Sequence, residues 1–494
     1  MRSPLLRRTL CAALSILATF AASACQKADA GKTDVTVIGE PPQIVDPAAG
    51  ALTQPQAVVL ANVAQGLVRF DAAGQIVPGL AGRWNVTDDG LGYIFRLETA
   101  EWPDGRKITA QQVARVLRRQ IAAHSDNPLR DTLGAIDQIT PMTDRVIEIS
   151  LKSPRPNLLP LLAQPELAVV YQGQGSGPFA ISRESKPPKL DLVRTVSDLD
   201  EEVSRREEVK LAAAPAPTAV RAFVAGKTDL VLGGTFGDLP YARAQNLPRN
   251  ALRFDPAAGL FGLLPANAGG ALVDPTIRHL LSESIDRQAL IDALGVPGLL
   301  PRATVLEPGL DGIPAPTAPE WAAVPIDQRR AALAESARRQ FGNLERPALR
   351  IALPEAPGSR ILLSRLAADW GVLGIKVEAA RPGSPADFIL VDAVAPSNSA
   401  AWYLRQLRCE HAPVCDENVD QLLDGARNAT VPAQRYALLA QAAQLVDEQQ
   451  LFIPLAAPIR WSLVSDRVQG FATNRFARHT LTGLGQRLDR ERGE

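Results

Sequence analysis

Two series of alternating strand and helix patterns, one on each side of the Gly- and Pro-rich stretch 256–270, constrain the fold of this 494-residue chain most. In the second series, strand-like Leu349–Leu353 is followed by helical Ser359–Leu373 and strand-like Ile375–Glu378. A strand, a helix and a second strand within about 30 residues are typical of a parallel sheet covered by helices. Because a chain of this length exceeds the usual size of one hydrophobic core, we expect at least two α/β lobes.

The first residues predict export. Basic residues precede the apolar run Leu10–Phe20, and Ala22-Ser23-Ala24 leads to Cys25. This order is that of a signal peptide, here residues 1–24. The stretch around Cys25 resembles the lipobox of bacterial lipoproteins, which implies that Cys25 is lipidated and tethered to a membrane. Cleavage by the ordinary signal peptidase, which leaves a free Cys25, is the alternative.

Local signals predict where several helices begin. Thr109 is followed three residues later by Gln112, which together form a capping box. Asp274 caps a helix that has Pro275 at its first position. A further helix is expected over 56–67.

Other segments predict turns and connections. Alternating apolar residues around a turn signal predict a hairpin over Trp84–Leu97. Gly175 and Gly177 are expected to supply backbone freedom in a turn. Segment 197–208, rich in both charge signs, is expected to be an exposed connection or a helix of low apolar content.

Two cysteines near the end of the chain predict a disulfide. Of the four cysteines, Cys11 is removed with the signal peptide and Cys25 is lipidated. Cys409 and Cys415 then remain as a pair in an oxidising compartment. A small disulfide-closed loop is the expectation. Metal binding by Cys409, His411 and Cys415 is the alternative, although no further Cys or His pair lies nearby.

Composition excludes several classes of function. Basic and acidic residues number 53 each, so no basic domain exists to hold nucleic acid. No mature segment approaches the roughly 18 to 20 apolar residues of a membrane-spanning helix. The sequence lacks the Gly-x-Ser-x-Gly, Ser-x-x-Lys and His-Glu-x-x-His motifs, and its four histidines are scattered. A secreted hydrolase is therefore the minor alternative, and we expect no enzyme, no cofactor and no metal.

Short motifs match one family in the correct order over nearly the whole mature chain. They include Gly39-Glu40-Pro41-Pro42, Trp102-Pro103-Asp104-Gly105, Gly175-Ser176-Gly177-Pro178-Phe179, Leu373-Gly374-Ile375-Lys376-Val377 and Val464-Ser465-Asp466-Arg467. Together they resemble the extracellular solute-binding proteins of the peptide, nickel and opine type. Most of these residues are expected to be structural. A tight turn held by Asp104 and packed by Trp102 explains the second motif.

The resemblance implies an α/β fold, that of a two-lobed periplasmic binding protein of type II and of the large peptide-binding kind. Residues 25–258 are expected to form lobe one with an inserted subdomain at about 55–165, residues 259–462 lobe two, and residues 463–494 a return to lobe one. Two crossing strands are expected to act as a hinge, so that ligand is enclosed by closure.

The implied function is capture of a small molecule or peptide in the periplasm by a monomer that delivers it to the permease of an ABC importer. A sensory or other non-transport binding role on the same scaffold is the alternative.

The resemblance also suggests where ligand is held. Peptide-binding members carry a Trp and then an Asp after the strand that matches 387–391; here Ala393 and Pro396 take those positions. This departure places recognition of a ligand α-ammonium in doubt. The ligand contacts expected on the residues present are Gly39, Glu40 and Gln43 in the N-terminal motif, and Asp392, Trp402 and Arg405 after the strand.

Overall fold

The computed structural model describes residues 32–197, 204–342 and 348–484. The predicted signal peptide and Cys25 lie outside the described residues, as do the last ten residues of the expected return to lobe one. No described helix combines the length and apolar character that crossing a membrane requires.

The described strands, in chain order, are β1 (Lys32–Ile38), β2 (Val68–Phe70), β3 (Ile76–Pro78), β4 (Ala81–Val86), β5 (Gly92–Leu97), β6 (Ile136–Thr143), β7 (Val146–Leu151), β8 (Ala180–Ile181), β9 (Leu190–Ser197), β10 (Ser204–Ala214), β11 (Leu230–Thr235), β12 (Leu252–Phe254), β13 (Gly259–Pro265), β14 (Ala348–Ala352), β15 (Lys376–Ala380), β16 (Phe388–Val394), β17 (Ile453–Ala456) and β18 (Arg460–Val464).

The described α-helices are α1 (Gln54–Val63), α2 (Ala110–Gln120), α3 (Leu158–Leu162), α4 (Ala216–Val224), α5 (Leu239–Arg243), α6 (Pro275–Ser284), α7 (Arg287–Leu294), α8 (Ile326–Phe341), α9 (Pro357–Gly371), α10 (Ala400–Arg405), α11 (Glu417–Asn428) and α12 (Pro432–Glu448).

One half of the molecule is built on a seven-stranded sheet in the order β12-β18-β11-β1-β10-β9-β8. Strand β1 lies near its middle and pairs in parallel with β10 and β11. Its apolar residues Val35 and Val37 are fully buried and pack against α1 and the neighbouring strands. Mixed pairing with helices on the sheet confirms the expected α/β class.

A four-stranded antiparallel sheet, β4-β5-β7-β6, stands between α1 and β8 in the chain. Helix α2 packs on it with Val113, Val116 and Leu117 buried in a separate core. We call the segment 67–169, whose residues supply nearly all of this core, the inserted unit. The separate core explains how this segment forms a unit of its own beside the larger sheet.

The other half is built on a five-stranded sheet in the order β15-β14-β16-β13-β17. Parallel β14 and β15 are joined by α9, which buries Leu362, Leu366 and Trp370 against the sheet. Helices α10, α11 and α12 form a further core on the opposite side, which contains Tyr403 and Phe452. We call the part of the chain from β13 to β17 the second half.

The chain crosses between the two large sheets twice, after β12 and again between β17 and β18. The crossings lie side by side, because the Asp255 amide donates to the Arg460 carbonyl at 3.0 Å. The hydrophobic core is continuous here, with Phe236 and Phe261 rings 5.0 Å apart. The division into lobes at residues 258 and 463 stays a prediction; β18, which begins at Arg460, already pairs with the first sheet.

Several local predictions are confirmed. Thr109 and Gln112 form a capping box at the start of α2. Asp274 accepts a hydrogen bond from the Thr276 amide at 2.8 Å and caps α6. The predicted hairpin forms from β4 and β5. In the Trp102–Gly105 motif, the Asp104 carboxylate accepts from the Arg106 amide at 3.0 Å, and the indole is buried.

Three predictions are wrong. Residues 204–208 are part of strand β10 rather than an exposed connection or helix, because β10 pairs with β1 and β9 and the Glu207 carboxylate meets Arg194 at 2.6 Å. The helix expected over 56–67 runs over Gln54–Val63, since a Thr53 capping box starts it earlier. Neither Gly175 nor Gly177 has a left-handed backbone, so neither supplies the expected backbone freedom. They are needed for close packing instead: a Cβ at Gly177 would lie 2.5 Å from the Asn62 carbonyl oxygen, and a Cβ at Gly175 would lie 2.5 Å from the Val63 carbonyl oxygen.

Candidate functional site

A cavity of about 230 Å³ lies between the inserted unit and the second half. The inserted unit contributes the loop around Leu133 and the segment 155–158, and the second half contributes Ser399–Trp402 together with Tyr436. Its two walls therefore belong to separately packed parts of the chain. We call it the inter-unit cavity.

Helix α10 presents the aromatic part of this wall. Trp402 lines the cavity, and its ring meets that of Tyr403 edge to face at 5.1 Å. The Tyr403 hydroxyl donates to a Glu307 carboxylate oxygen at 2.5 Å. Burial and the nearby Glu307 raise the pKa of Tyr403, so it stays a neutral donor. This bond holds α10 in place and fixes the orientation of the Trp402 wall.

Four of the six arginines that line this cavity come from four different elements. Arg405 lies in the last turn of α10, Arg427 in the last turn of α11, Arg435 near the start of α12, and Arg155 in the loop before α3. Burial, followed by the charges of neighbouring arginines, lowers the pKa of Arg155 to about 10 and that of Arg405 to about 10. Both stay charged at neutral pH.

Polar groups of the segment after β16 also lie at the cavity. Ser397 is fully buried, lines the cavity, and has a hydroxyl without a hydrogen-bond partner. The preceding Pro396 carbonyl accepts from the Gln164 side chain of the inserted unit at 2.8 Å, through a buried bond. The segment that departs from the peptide-binding pattern thus joins the two walls of the cavity.

Asp392 lies away from this cavity, at the crossing between the two large sheets. Arg460 donates to its carboxylate at 2.7 Å and to its carbonyl at 3.0 Å. Both side chains are largely buried, with exposed fractions of 15% for Asp392 and 10% for Arg460. Burial raises the pKa of the Asp392 carboxyl, and Arg460 opposes that rise. The carboxylate is therefore occupied by a protein cation.

The three predicted contacts of the N-terminal motif lie apart from the inter-unit cavity. Gly39, at the end of β1, donates its amide to the Ala214 carbonyl at 3.1 Å. A Cβ at Gly39 would lie 3.0 Å from Pro55, so this position needs a glycine for close packing and for its φ of 139°. Glu40 and Gln43 are exposed. Of the six predicted contacts, the structure brings Trp402 and Arg405 together at one cavity, and the others stay predictions.

A disulfide joins Cys409 to Cys415 and closes the loop that carries Glu410 and His411 to the rim of the cavity. Both sulfurs are bonded to each other, so they do not serve as metal ligands in this state. Across the described ranges, no group of His, Cys, Asp and Glu side chains is arranged to hold a metal ion.

Sequence reasoning missed Arg155, Arg427, Arg435 and Ser397. The density of arginines between positions 405 and 435 is a signal that could have drawn attention to α11 and α12. Arg155 has no such signal, because it comes from the inserted unit and meets the others only through the fold.

The family model described as bacterial extracellular solute-binding proteins, family 5 Middle, matches residues 75–398. The chain is 26% identical over 481 residues to "Probable di/tripeptide-binding protein 5" of Pseudomonas aeruginosa, covering 84% of this chain and 88% of that protein. It is also 26% identical over 488 residues to "Probable deoxycholate-binding periplasmic protein YgiS" of Escherichia coli, covering 84% and 86%.

The fold is similar to that of Haemophilus influenzae OppA in complex with the peptide RPPGFSPFR, with a TM-score of 0.78 at 17% identity. The match covers 93% of this chain and 99% of that chain. The expected two-lobed fold is confirmed by this likeness.

Proposed function

The chain belongs to family 5 of the bacterial extracellular solute-binding proteins, and from this premise we propose that it binds its solute in the inter-unit cavity and delivers it to the permease of an ABC importer. The solute-receptor role follows from the family. The position of the binding site, the class of ligand and delivery to a permease are what we propose.

The main support for this binding site is that the walls of the cavity belong to two separately packed units. Among the described residues, two hydrogen bonds join these walls: Gln164 donates to the Pro396 carbonyl at 2.8 Å, and Arg155 donates to the Arg427 carbonyl at 3.0 Å. A solute held between such walls adds contacts to both and favours the arrangement in which they meet. A permease that recognises this arrangement distinguishes the loaded from the empty receptor.

An oligopeptide or a related compound is the proposed class of solute. The relatives named for di- and tripeptides and the fold likeness to a peptide complex support it. The ion pair of Asp392 with Arg460 speaks against Asp392 as the partner of a ligand α-ammonium, because that carboxylate already has a buried cation beside it. The inter-unit cavity offers Trp402 for stacking and Ser397 for hydrogen bonding instead.

The proposed location is the periplasm, with the mature protein held to a membrane by a lipid on Cys25. The sequence around Cys25 supports this. Incorporation of labelled palmitate by wild-type cells and its loss in the Cys25→Ser variant test the anchor. Incorporation that persists in the variant contradicts it.

A cavity-filling variant tests the site. The mature protein is purified, its copurified small molecules are identified by mass spectrometry, and thermal unfolding is followed with and without them. A ligand present at 100 times its Kd stabilises the folded state by about 2.7 kcal/mol. Ala401→Trp, which places an indole in the cavity, is expected to abolish this stabilisation, and Val372→Trp on the exposed surface is the control. Ligand binding by Ala401→Trp at wild-type strength contradicts the proposed site.

A further inference from the structure

The wall of the inter-unit cavity carries more positive than negative charge. Six arginines line it, against the three carboxylates of Asp131, Asp311 and Glu410. Arg130 meets Asp131 at 3.1 Å, and Arg408 meets Asp424 at 2.7 Å. The excess therefore rests on the other four arginines, which are Arg155, Arg405, Arg427 and Arg435.

Arg155 and Arg435 are held by neutral groups rather than by carboxylates. Arg155 donates to the Arg427 carbonyl at 3.0 Å, and Arg435 donates to the Ala426 carbonyl at 3.1 Å. One terminal nitrogen of Arg405 is buried and has no hydrogen-bond partner. Within the described part of the chain, none of the four is within ion-pairing distance of a carboxylate.

Arg155, Arg405 and Arg435 are half-buried, and Arg427 is exposed. Other half-buried or buried arginines of this protein are satisfied differently. Arg478 meets Glu166 at 2.6 Å, and Arg460 meets Asp392 at 2.7 Å. Arg278 lacks a carboxylate but donates to four carbonyl oxygens, those of Leu272, Val273, Gln449 and Gln450. Each guanidinium nitrogen of Arg278 thus has a carbonyl partner, whereas one terminal nitrogen of Arg405 has none.

The charge of these four arginines is only partly compensated when the cavity is empty, because Asp131 acts to raise the pKa of Arg405 but burial outweighs it. Burial and the neighbouring guanidinium groups lower the pKa values of Arg155 and Arg405, which shows that holding their charge is unfavourable. A small anion in the cavity reduces this penalty, because it places further negative charge beside the four guanidinium groups.

We propose that the inter-unit cavity binds a solute with at least two negative charges on carboxylate or phosphate groups, held by Arg155 from one wall and by Arg405, Arg427 and Arg435 from the other. This rests on the proposed site and names its ligand class. Because the arginines come from both walls, one anion bridges the inserted unit and the second half, and binding is coupled to closure. Trp402 covers the apolar part of such a solute.

Calorimetric titration of the mature protein tests the charge of the ligand. The probes are citrate, inorganic phosphate and three matched tripeptides, Glu-Ala-Glu, Ala-Ala-Ala and Lys-Ala-Lys. We expect at least one of the three anionic probes, citrate, phosphate or Glu-Ala-Glu, to bind at least 10-fold more tightly than Ala-Ala-Ala. Lys-Ala-Lys is expected not to bind. Affinity is expected to fall as salt rises from about 50 to 500 mM, because added ions screen the attraction.

Substitutions test whether the four arginines are responsible for binding of the anionic probe. Arg405→Met and Arg155→Met are each expected to weaken binding of the anionic probe at least 10-fold. Arg339→Met removes the same charge from a side chain that is 68% exposed and is expected to leave binding unchanged. Circular dichroism verifies that each variant is folded. Arg405→Lys, which keeps the charge but loses the planar fork, is expected to bind with intermediate affinity.

The outcomes separate the two proposals. Binding of a neutral or cationic solute that Ala401→Trp abolishes and Arg405→Met leaves unchanged overturns the anionic class and keeps the site. Anion binding that Ala401→Trp does not affect overturns the site itself. Absence of binding by every probe and every copurified solute overturns both.

Discussion

The ion pair between Asp392 and Arg460 gives the sharpest test of how the two large sheets are joined. Asp392 lies near the end of β16 in the second half and Arg460 begins β18 in the first sheet, so this 2.7 Å contact spans the crossing. Asp392→Asn keeps the shape of the side chain and removes its charge. Arg460 is then left as a buried cation without a counter-charge.

The expected loss follows from burial. Removing one partner of a buried ion pair destabilises a protein by about 3–5 kcal/mol. Arg460 keeps its bonds to the Ile459 and Asp392 carbonyls, at 2.9 and 3.0 Å, which reduces that penalty. We therefore expect Asp392→Asn to lower the free energy of unfolding by about 2–4 kcal/mol. In the double variant Asp392→Leu/Arg460→Met, most of this loss is expected to be recovered, since neither charge remains.

Urea unfolding at pH 8 measures these differences. Glu355→Gln is the control, because its pair with Arg381 is exposed and such pairs contribute about 0–1 kcal/mol. Wild-type stability in Asp392→Asn, combined with lost solute binding, refutes the structural role and restores Asp392 as a ligand contact. The same stability in the single and double variants refutes the argument from an unpaired cation.

Three further predictions concern stability. Burial raises the pKa of Asp447, which accepts from the Val305 amide at 2.8 Å, to about 7. The folded state therefore holds a proton that the unfolded chain releases between about pH 4 and 7, so this contribution to stability is present at pH 4 and lost by pH 7. Asp447→Asn is expected to match wild type in urea unfolding at pH 4 and to exceed it by about 3–4 kcal/mol at pH 8, since raising the pKa by about 3 corresponds to that free energy; equal stability at both contradicts this. Gly177→Ala is expected to lower the free energy of unfolding by about 1–3 kcal/mol, because the new Cβ meets the Asn62 carbonyl oxygen at 2.5 Å, and an unchanged melting temperature refutes that clash. Arg405→Met is expected to stabilise the ligand-free protein by about 1–2 kcal/mol, since it removes a charge whose burial is unfavourable; destabilisation in calorimetry indicates a structural arginine instead.

Local signals in the sequence predict much of the fold. The capping pairs at Thr109 and Asp274 act within one turn of helix, so their outcome depends little on distant residues. Strand β10 was not predictable in this way, because its charged N-terminal part is held by pairing with two distant strands. Gly177 shows the same limit: the sequence marks a glycine, but only packing against Asn62 tells why it is needed.

The candidate site was predictable only in part. Trp402 and Arg405 follow a strand that the family resemblance singles out, and both lie at the cavity. Asp392 precedes them in the same segment, yet its side chain lies at the crossing between the two large sheets. Successive side chains of β16 point to opposite faces of the sheet, and Arg460 pairs with the Asp392 carboxylate there. Arg155 joins the site through the packing of the inserted unit on the second half, which no local pattern encodes.

The central claim, that solute is held between the inserted unit and the second half, is tested most directly by the crystal structure of the mature protein with its bound solute. The account predicts ligand density between Arg155 and Arg405, with the solute against the Trp402 ring. Density elsewhere, for example in the surface depression bordered by Arg249 and Arg467, with an empty inter-unit cavity, contradicts it.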